Sequence, residues 1–96
     1  MTKVQLEEIK KKVIPILKAA GVTRSSLFGS YVRGDATEKS DIDMLIDIPR
    51  GKTLFDLVRL EFELEEKLHK KVDVLTYKSL SPRIKDYVKK EEMQIL

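Results

Sequence analysis

Gly29-Ser30-Tyr31-Val32-Arg33-Gly34 and, after a short polar loop, Ser40-Asp41-Ile42-Asp43 are the stretches that decide the fold of this chain. The first stretch follows the apolar pair Leu27-Phe28, which is typical of a strand end, and Gly29 permits a backbone turn that other residues rarely adopt. Two glycines that flank Ser-x-x-Arg leave room for about one helical turn. Its first amide groups, the Ser30 hydroxyl and the Arg33 guanidinium could then face one anion, so we predict a phosphate-binding turn.

The run from residue 41 to residue 48 alternates strictly, which predicts a strand. Ile42, Met44, Ile46 and Ile48 fall on one side, and Asp41, Asp43, Leu45 and Asp47 fall on the other. Asp41 and Asp43 would lie roughly 6–7 Å apart, with a repulsion on the order of 2–3 kcal/mol at an effective dielectric near 20. Magnesium suits such a pair because it takes oxygen ligands and is commonly completed by substrate phosphates. Asp47, about 13 Å further along, is too far to share that ion.

Together these residues resemble the signature of the minimal nucleotidyltransferases, the small members of the DNA polymerase beta-like superfamily. The resemblance rests on Gly29-Ser30-x-x-Arg33-Gly34 combined with Ser40-Asp41-Ile42-Asp43. It implies a polymerase beta-like nucleotidyltransferase core. Asp41 and Asp43 would hold two Mg²⁺ ions, while Gly29, Ser30 and Arg33 would bind the phosphates of ATP. For Arg33 the residues leave a second interpretation open, an ion pair with one of the aspartates.

Asp73 is a further candidate because it lies within a short apolar run, Val72-Asp73-Val74. From the residues alone, it either faces water at a sheet edge or has a functional role. The resemblance favours the second interpretation, since the family places its third carboxylate on the strand after the long helix, in this context. Asp73 would then bind the second magnesium ion and help to accept the proton of the attacking hydroxyl.

The resemblance also implies a partner protein. Such domains are commonly encoded beside a HEPN-domain protein, typically a ribonuclease toxin, and some act as antitoxins by transferring AMP from ATP to a tyrosine of that toxin. Two alternatives remain open, a binding module that neutralises its partner by occlusion, and transfer to a small-molecule acceptor. The last is disfavoured, because enzymes of that kind usually carry a second domain for the acceptor.

Length and composition predict a single domain over residues 1–96 without structural cysteine chemistry. The chain has 96 residues and no Cys, and its 19 basic and 16 acidic residues give a net charge of only +3. Because these charges are mixed along the chain, direct nucleic-acid binding is not favoured, and the lysines of the first helix are expected to face solvent. No apolar run has the length of a signal peptide or a membrane span, so we expect a soluble protein of the cytoplasm and no membrane partner.

The remaining pattern predicts an α/β (α+β) fold, a small mixed β-sheet with helices packed on one face. We expect a helix over residues 3–20, with a kink at Pro15 and a capping box at Thr2 and Gln5. Further helices are expected over 53–69, where Thr53 with Asp56 marks the start, and over 82–92, where Ser81-Pro82 marks the start. Strands are expected over 22–28, 41–48 and 71–76. Residues 93–96 could form a short strand, a fraying end or a partner contact.

The long helix over residues 53–69 carries two apolar stripes instead of one, with Glu61 and Glu65 between them. The first stripe is Leu57, Leu60, Leu64 and Leu68, and the second is Leu54, Phe55, Val58 and Phe62. One stripe is expected to pack on the sheet. The second either meets a partner or belongs to a wide core face whose Glu heads reach water, and the sequence leaves both possibilities open.

Overall fold

A computed structural model describes residues 3–37 and 39–96. The helices are α1 (Lys3–Ala19), α2 (Ser30–Arg33), α3 (Leu54–Leu68) and α4 (Pro82–Glu91), and the strands are β1 (Arg24–Phe28), β2 (Ile42–Asp47), β3 (Val72–Thr76) and β4 (Met93–Gln94). The predicted helices and strands are confirmed to within two residues, and α1 runs on through Pro15. The capping box predicted at Thr2 and Gln5 lies outside the residues whose side chains are described.

The four strands form one mixed sheet in the order β3-β2-β1-β4. β1 pairs antiparallel with both β2 and β4, whereas β2 and β3 are parallel. Parallel neighbours need a long crossover, and α3 supplies it. The crossover places β3 at one edge of the sheet, directly beside the strand that carries Asp43.

The core lies between one face of the sheet and helices α1 and α3, as predicted. The β2 side chains on this face are the apolar set Ile42, Met44 and Ile46, all buried. Leu17 of α1 and Leu64 of α3 are fully buried in the same cluster. The helices therefore cover the face that the alternation in β2 predicts, and the aspartates of β2 lie on the other face.

The aspartate face is also covered in its middle, which the sequence did not predict. Leu45 lies on this face and is fully buried. A 3-10 turn, Tyr77–Ser79, packs beside β2 here. The Tyr77 hydroxyl donates to Ser26 Oγ at 2.7 Å, and the Arg24 guanidinium lies 4.5 Å from the centre of the Tyr77 ring.

The C-terminal residues form a strand, one of the three possibilities left open for residues 93–96. β4 pairs with β1, and the Ile95 N–H donates to the Ser25 carbonyl at 2.9 Å. The Ile95 side chain is buried in the core cluster. The sheet therefore has four strands, one more than the sequence predicted.

The two stripes of α3 have different surroundings. Leu60 and Leu64 of the first stripe are buried, with Leu57 and Leu68 packed against the core, whereas all four residues of the second stripe are exposed. Glu65 Oε2 accepts a hydrogen bond from the Val72 N–H at 3.1 Å. Burial raises the pKa of Glu61, and a hydrogen bond with the Val74 backbone opposes that shift. The alternative of a wide core face is therefore wrong, because Glu61 and Glu65 cap the outer edge of β3 and separate the core stripe from an exposed one.

Within the described part of the chain, no helix combines the length and the apolar character needed to cross a membrane.

Candidate active site

The site begins at the turn between β1 and α2, which has the conformation that the glycine pattern predicts. Gly29 has a φ of 80°, and its carbonyl accepts hydrogen bonds from the N–H groups of Val32 and Arg33 at 3.1 and 3.0 Å. A Cβ at position 29 would collide with Asp43 Oδ2. Glycine is thus required both for the backbone conformation and for the close approach of the Asp43 carboxylate. The candidate phosphate-binding turn and the aspartate strand are in direct contact.

Asp43 and Asp73 are direct neighbours in the sheet. The parallel register pairs Asp43 with Asp73, so the two side chains leave the same face of adjacent strands about 4.8 Å apart. Both residues are half-buried. Asp73 therefore does not stand alone at a sheet edge, since it lies beside the carboxylate with which the resemblance groups it.

Asp41 precedes β2 and is held by the residues on either side of it. The Ile42 N–H donates to the Lys71 carbonyl at 2.9 Å. The Ser40 carbonyl accepts weak hydrogen bonds from the Tyr31 hydroxyl and from Lys70 Nζ, each at 3.4 Å. Segments from α2 and from the start of β3 thus fix the backbone that carries Asp41.

The electrostatic environment of Asp43 connects these groups. Its pKa is raised, first by burial and then by the negative charges of Asp73 and Asp41, while Arg33 opposes the shift. Like charges close together disfavour ionisation, so the raised pKa shows that the carboxylates of Asp73 and Asp41 both act on Asp43. A cation between them would relieve that repulsion.

Arg33 has partners that were not predicted from the sequence. Its guanidinium forms ion pairs with Asp35 and Glu91, both at 3.3 Å, and with none of Asp41, Asp43 and Asp73. Glu91 also accepts a hydrogen bond from the Tyr87 hydroxyl at 3.2 Å. Because the Arg33 and Asp35 side chains are 42% and 63% exposed, their ion pair is weak, and the exposed guanidinium can exchange it for a ligand anion, whereas the Glu91 side chain is only 16% exposed. The interpretation of Arg33 as an ion-pair partner of the site aspartates is therefore wrong.

Three further residues contact the site, although none of them was predicted from the sequence: Tyr31, Lys70 and Glu91. Tyr31 is 2% exposed, and a large aromatic residue inside so short a helical turn is a usable signal of burial. Lys70 and Glu91 carry no comparable signal, because each belongs to a run of charged residues whose roles depend on tertiary contacts. Ser30 begins α2 and is half-buried beside the same turn.

The site offers only oxygen donors, the kind of ligand that magnesium prefers. Within residues 3–37 and 39–96, however, no three His, Cys, Asp or Glu side chains stand close enough to form a ready metal-binding cluster. Asp47 lies four residues beyond Asp43 on the same face and pairs in register with Arg24, away from Asp73. The assignment of Asp41, Asp43 and Asp73 as metal ligands therefore stays a prediction.

Comparison with known families identifies the class of protein. A family model described as a nucleotidyltransferase domain matches residues 6–94. The chain belongs to the nucleotidyltransferase family. As a member of that family it is a nucleotidyltransferase enzyme, which agrees with the resemblance seen in its glycine and aspartate motifs.

Relatives of this nucleotidyltransferase have more specific names. The Methanocaldococcus jannaschii protein MJ0435, whose name marks it as a candidate protein adenylyltransferase, is 54% identical over 91 residues, which are 95% of this chain and 98% of that protein. The protein adenylyltransferase MntA of Thermococcus cleftensis is 39% identical over 75 residues, 78% of this chain and 76% of that protein.

Solved structures resemble this nucleotidyltransferase over most of its length. One, described as a candidate minimal nucleotidyltransferase, has a TM-score of 0.84 and 34% identity, and the match covers 97% of this chain and 95% of that one. A toxin–antitoxin structure with AMP-PNP has a TM-score of 0.81 and 25% identity, covering 91% of this chain and 72% of that one. The α/β fold of the nucleotidyltransferase is therefore that of a minimal nucleotidyltransferase.

Proposed function

We propose that this nucleotidyltransferase is an antitoxin that transfers AMP from ATP to a tyrosine of a HEPN-domain toxin, in a reaction that depends on Mg²⁺. The observation that carries the proposal is the pairing of Asp43 with Asp73 directly against the Gly29 turn. The names of the relatives support protein adenylylation, and the toxin–antitoxin structure with an ATP analogue supports both the nucleotide and the biological role. ATP and such a toxin would meet in the cytoplasm.

Asp41, Asp43 and Asp73 fit the proposed metal because they bring only carboxylate oxygens, and because their mutual repulsion favours a bound cation. They would hold two Mg²⁺ ions. Bound magnesium would supply charge neutralisation at the triphosphate and would lower the pKa of the attacking hydroxyl.

The chain's own residues would bind and orient the nucleotide. The Ser30 hydroxyl and the amide groups at Gly29 and Ser30 would contact the phosphates, and Arg33 would exchange its surface ion pairs for a phosphate oxygen. In the transfer step the tyrosine oxygen forms a bond to the α-phosphorus, and the bond from that phosphorus to the bridging oxygen breaks. Pyrophosphate leaves with the electron pair, and Asp73 accepts the phenolic proton.

The experiment combines the chain, its HEPN-domain partner, MgCl₂ and ATP labelled at the α-phosphate. We expect label on the partner, and loss of that label with Asp41→Ala or Asp43→Ala. Asp47→Asn is the matched control, because Asp47 lies on the same face of the same strand but away from Asp73, and it should keep the transfer.

Two results would contradict the proposal. If the toxin is neutralised without label, and neutralisation survives Asp43→Ala, the chain acts by occlusion. If label appears on a small molecule and never on the partner, the acceptor has been assigned wrongly.

A further inference from the structure

The second stripe of α3, formed by Leu54, Phe55, Val58 and Phe62, is the largest exposed apolar feature among the described residues. Phe55 is 86% exposed and Phe62 is 66% exposed, with Leu54 and Val58 also open to solvent. Since an aromatic side chain buries 150–250 Å², the four residues together expose on the order of 400 Å². A contiguous apolar patch of that size is comparable to the largest patch on a typical monomer, and such a patch is often functional.

The position of the stripe connects it with the candidate active site. Glu61 and Glu65 lie between the stripe and the core, and they point at the outer edge of β3. Glu61 is close enough to Asp73 for the two charges to interact. A protein that covers the stripe would therefore sit beside the strand that carries Asp73, where an acceptor side chain can reach the site.

Charge indicates what kind of partner fits. The α3 sequence, LFDLVRLEFELEEKL, contains five acidic and two basic residues, and the stripe is adjoined by three acidic residues, Glu61, Glu65 and Glu66, and by one basic residue, Arg59. Two copies of the chain that met through this stripe would bring their glutamates together, which is unfavourable. The stripe also supplies only about half of the roughly 800 Å² per partner found in stable interfaces. A different protein with an apolar strip flanked by Lys or Arg would avoid the repulsion between glutamates. Its further contacts towards the site would supply the rest of the interface area.

We infer that the α3 stripe is the surface on which the HEPN-domain partner docks, with apolar side chains over the phenylalanines and basic side chains beside Glu61, Glu65 and Glu66. The inference rests on the proposed function, because that function supplies the partner. The docking surface and the transfer chemistry involve different residues and can be tested separately.

The test measures binding of the chain to its purified HEPN-domain partner, the protein named in the proposed function, by calorimetric titration. For the double variant Phe55→Ser with Phe62→Ser we expect affinity to fall at least tenfold and ATP binding to stay unchanged. Ile84→Ser on α4 is the matched control, because Ile84 is also an exposed apolar residue, 50% exposed, and its substitution should change affinity less than twofold. Affinity of the wild-type chain should also fall as NaCl is raised.

Several results would overturn the inference. Unchanged affinity in the double variant would do so, as would an equal loss in Ile84→Ser. Sedimentation that shows a wild-type dimer and a monomeric double variant would assign the stripe to a second copy of the chain. If the double variant does not fold, Phe55→Lys alone provides the same test at the most exposed position.

Asp43→Asn separates this inference from the proposed function. It should abolish transfer of AMP while binding the partner with wild-type affinity. If AMP transfer never occurs but the double variant still loses affinity for the partner, the docking surface stands and the proposed chemistry fails. If transfer depends on Asp43 but the double variant binds the partner normally, the proposed chemistry stands and the docking surface has been assigned wrongly.

Discussion

Gly29 shows how one residue can serve both the backbone and the site. Its φ of 80° is strained for any residue with a side chain, and a Cβ there would also meet the Asp43 carboxylate. Gly34 has a similar φ of 89°, but nothing lies within 4 Å of a Cβ at that position. The two glycines therefore separate the conformational requirement from the steric one.

We expect Gly34→Ala to lower the free energy of unfolding by about 1 kcal/mol, the conformational cost alone. Gly29→Ala should lower it by about 2–4 kcal/mol, because the collision adds to that cost. Urea denaturation of both variants measures the difference. Equal losses would show that Asp43 does not need the glycine.

The contribution of the Asp43 carboxyl group to the free energy of unfolding is expected to depend on pH. Because the folded-state pKa lies above the ordinary 3.8, the folded chain binds this proton more tightly than the unfolded chain does. The contribution of Asp43 to stability therefore increases as pH falls from above the raised pKa to below 3.8. Asp43→Asn removes that dependence.

At pH 7 without metal, Asp43→Asn should keep the fold and raise the free energy of unfolding slightly, by about 1 kcal/mol or less after solvent screening. Denaturation of the wild type and of Asp43→Asn at pH 7 and at pH 4 measures the gain in stability at pH 7 and the loss of the pH dependence. A fall of several kcal/mol at pH 7 would instead make Asp43 a structural residue.

At the scale of elements, α3 protects the edge strand on which Asp73 lies. An unpaired strand edge is prone to non-native pairing, and the Glu65 carboxylate satisfies the N–H of the buried Val72. We expect Glu65→Ala to cost about 1–2 kcal/mol of folding free energy, since that N–H loses its partner.

Glu66→Ala is the control for this prediction, because Glu66 is an exposed neighbour on the same helix. It should change the free energy of unfolding by less than about 0.5 kcal/mol. Chemical denaturation distinguishes the two variants. If they behave alike, the Glu65 hydrogen bond does not stabilise the edge.

Sequence periodicity predicted the elements well where the pattern reports burial. The alternation in β2 and the first stripe of α3 identified the core face, and Ser81-Pro82 identified the start of α4, where Ser81 Oγ accepts from the Ile84 N–H. Thr53 and Asp56 likewise form the predicted cap of α3, with the Thr53 N–H donating to Asp56 at 2.7 Å. The roles of Glu61 and Glu65 were not predictable, because they depend on which strand lies at the edge.

At the scale of the whole molecule, the register of β2 against β3 was the step that sequence could not supply. The family resemblance grouped Asp73 with Asp41 and Asp43, but only the sheet places Asp73 beside Asp43. Arg33 illustrates the converse, because its partner Glu91 is 58 residues away in the sequence and no local pattern predicts that contact.

The C-terminal strand completes the sheet and should contribute measurably to the stability of the whole molecule. Ile95 is buried in the core cluster, whereas Gln94 is exposed on the same short segment. We expect Ile95→Ala to lower the free energy of unfolding by about 2–4 kcal/mol and Gln94→Ala by less than about 0.5 kcal/mol. Thermal unfolding of the two variants tests this, and similar melting temperatures would show that β4 is dispensable for folding.

The central claim is that Asp43 and Asp73 act as one unit in binding magnesium and nucleotide. Calorimetric titration of AMP-PNP in the presence of Mg²⁺, with Asp43→Asn, Asp73→Asn and the double variant, tests it as a double-mutant cycle. We predict that each single variant weakens binding strongly and that the double variant is little worse than either, while Asp47→Asn binds like the wild type. Additive losses, or normal binding by Asp73→Asn, would contradict the account.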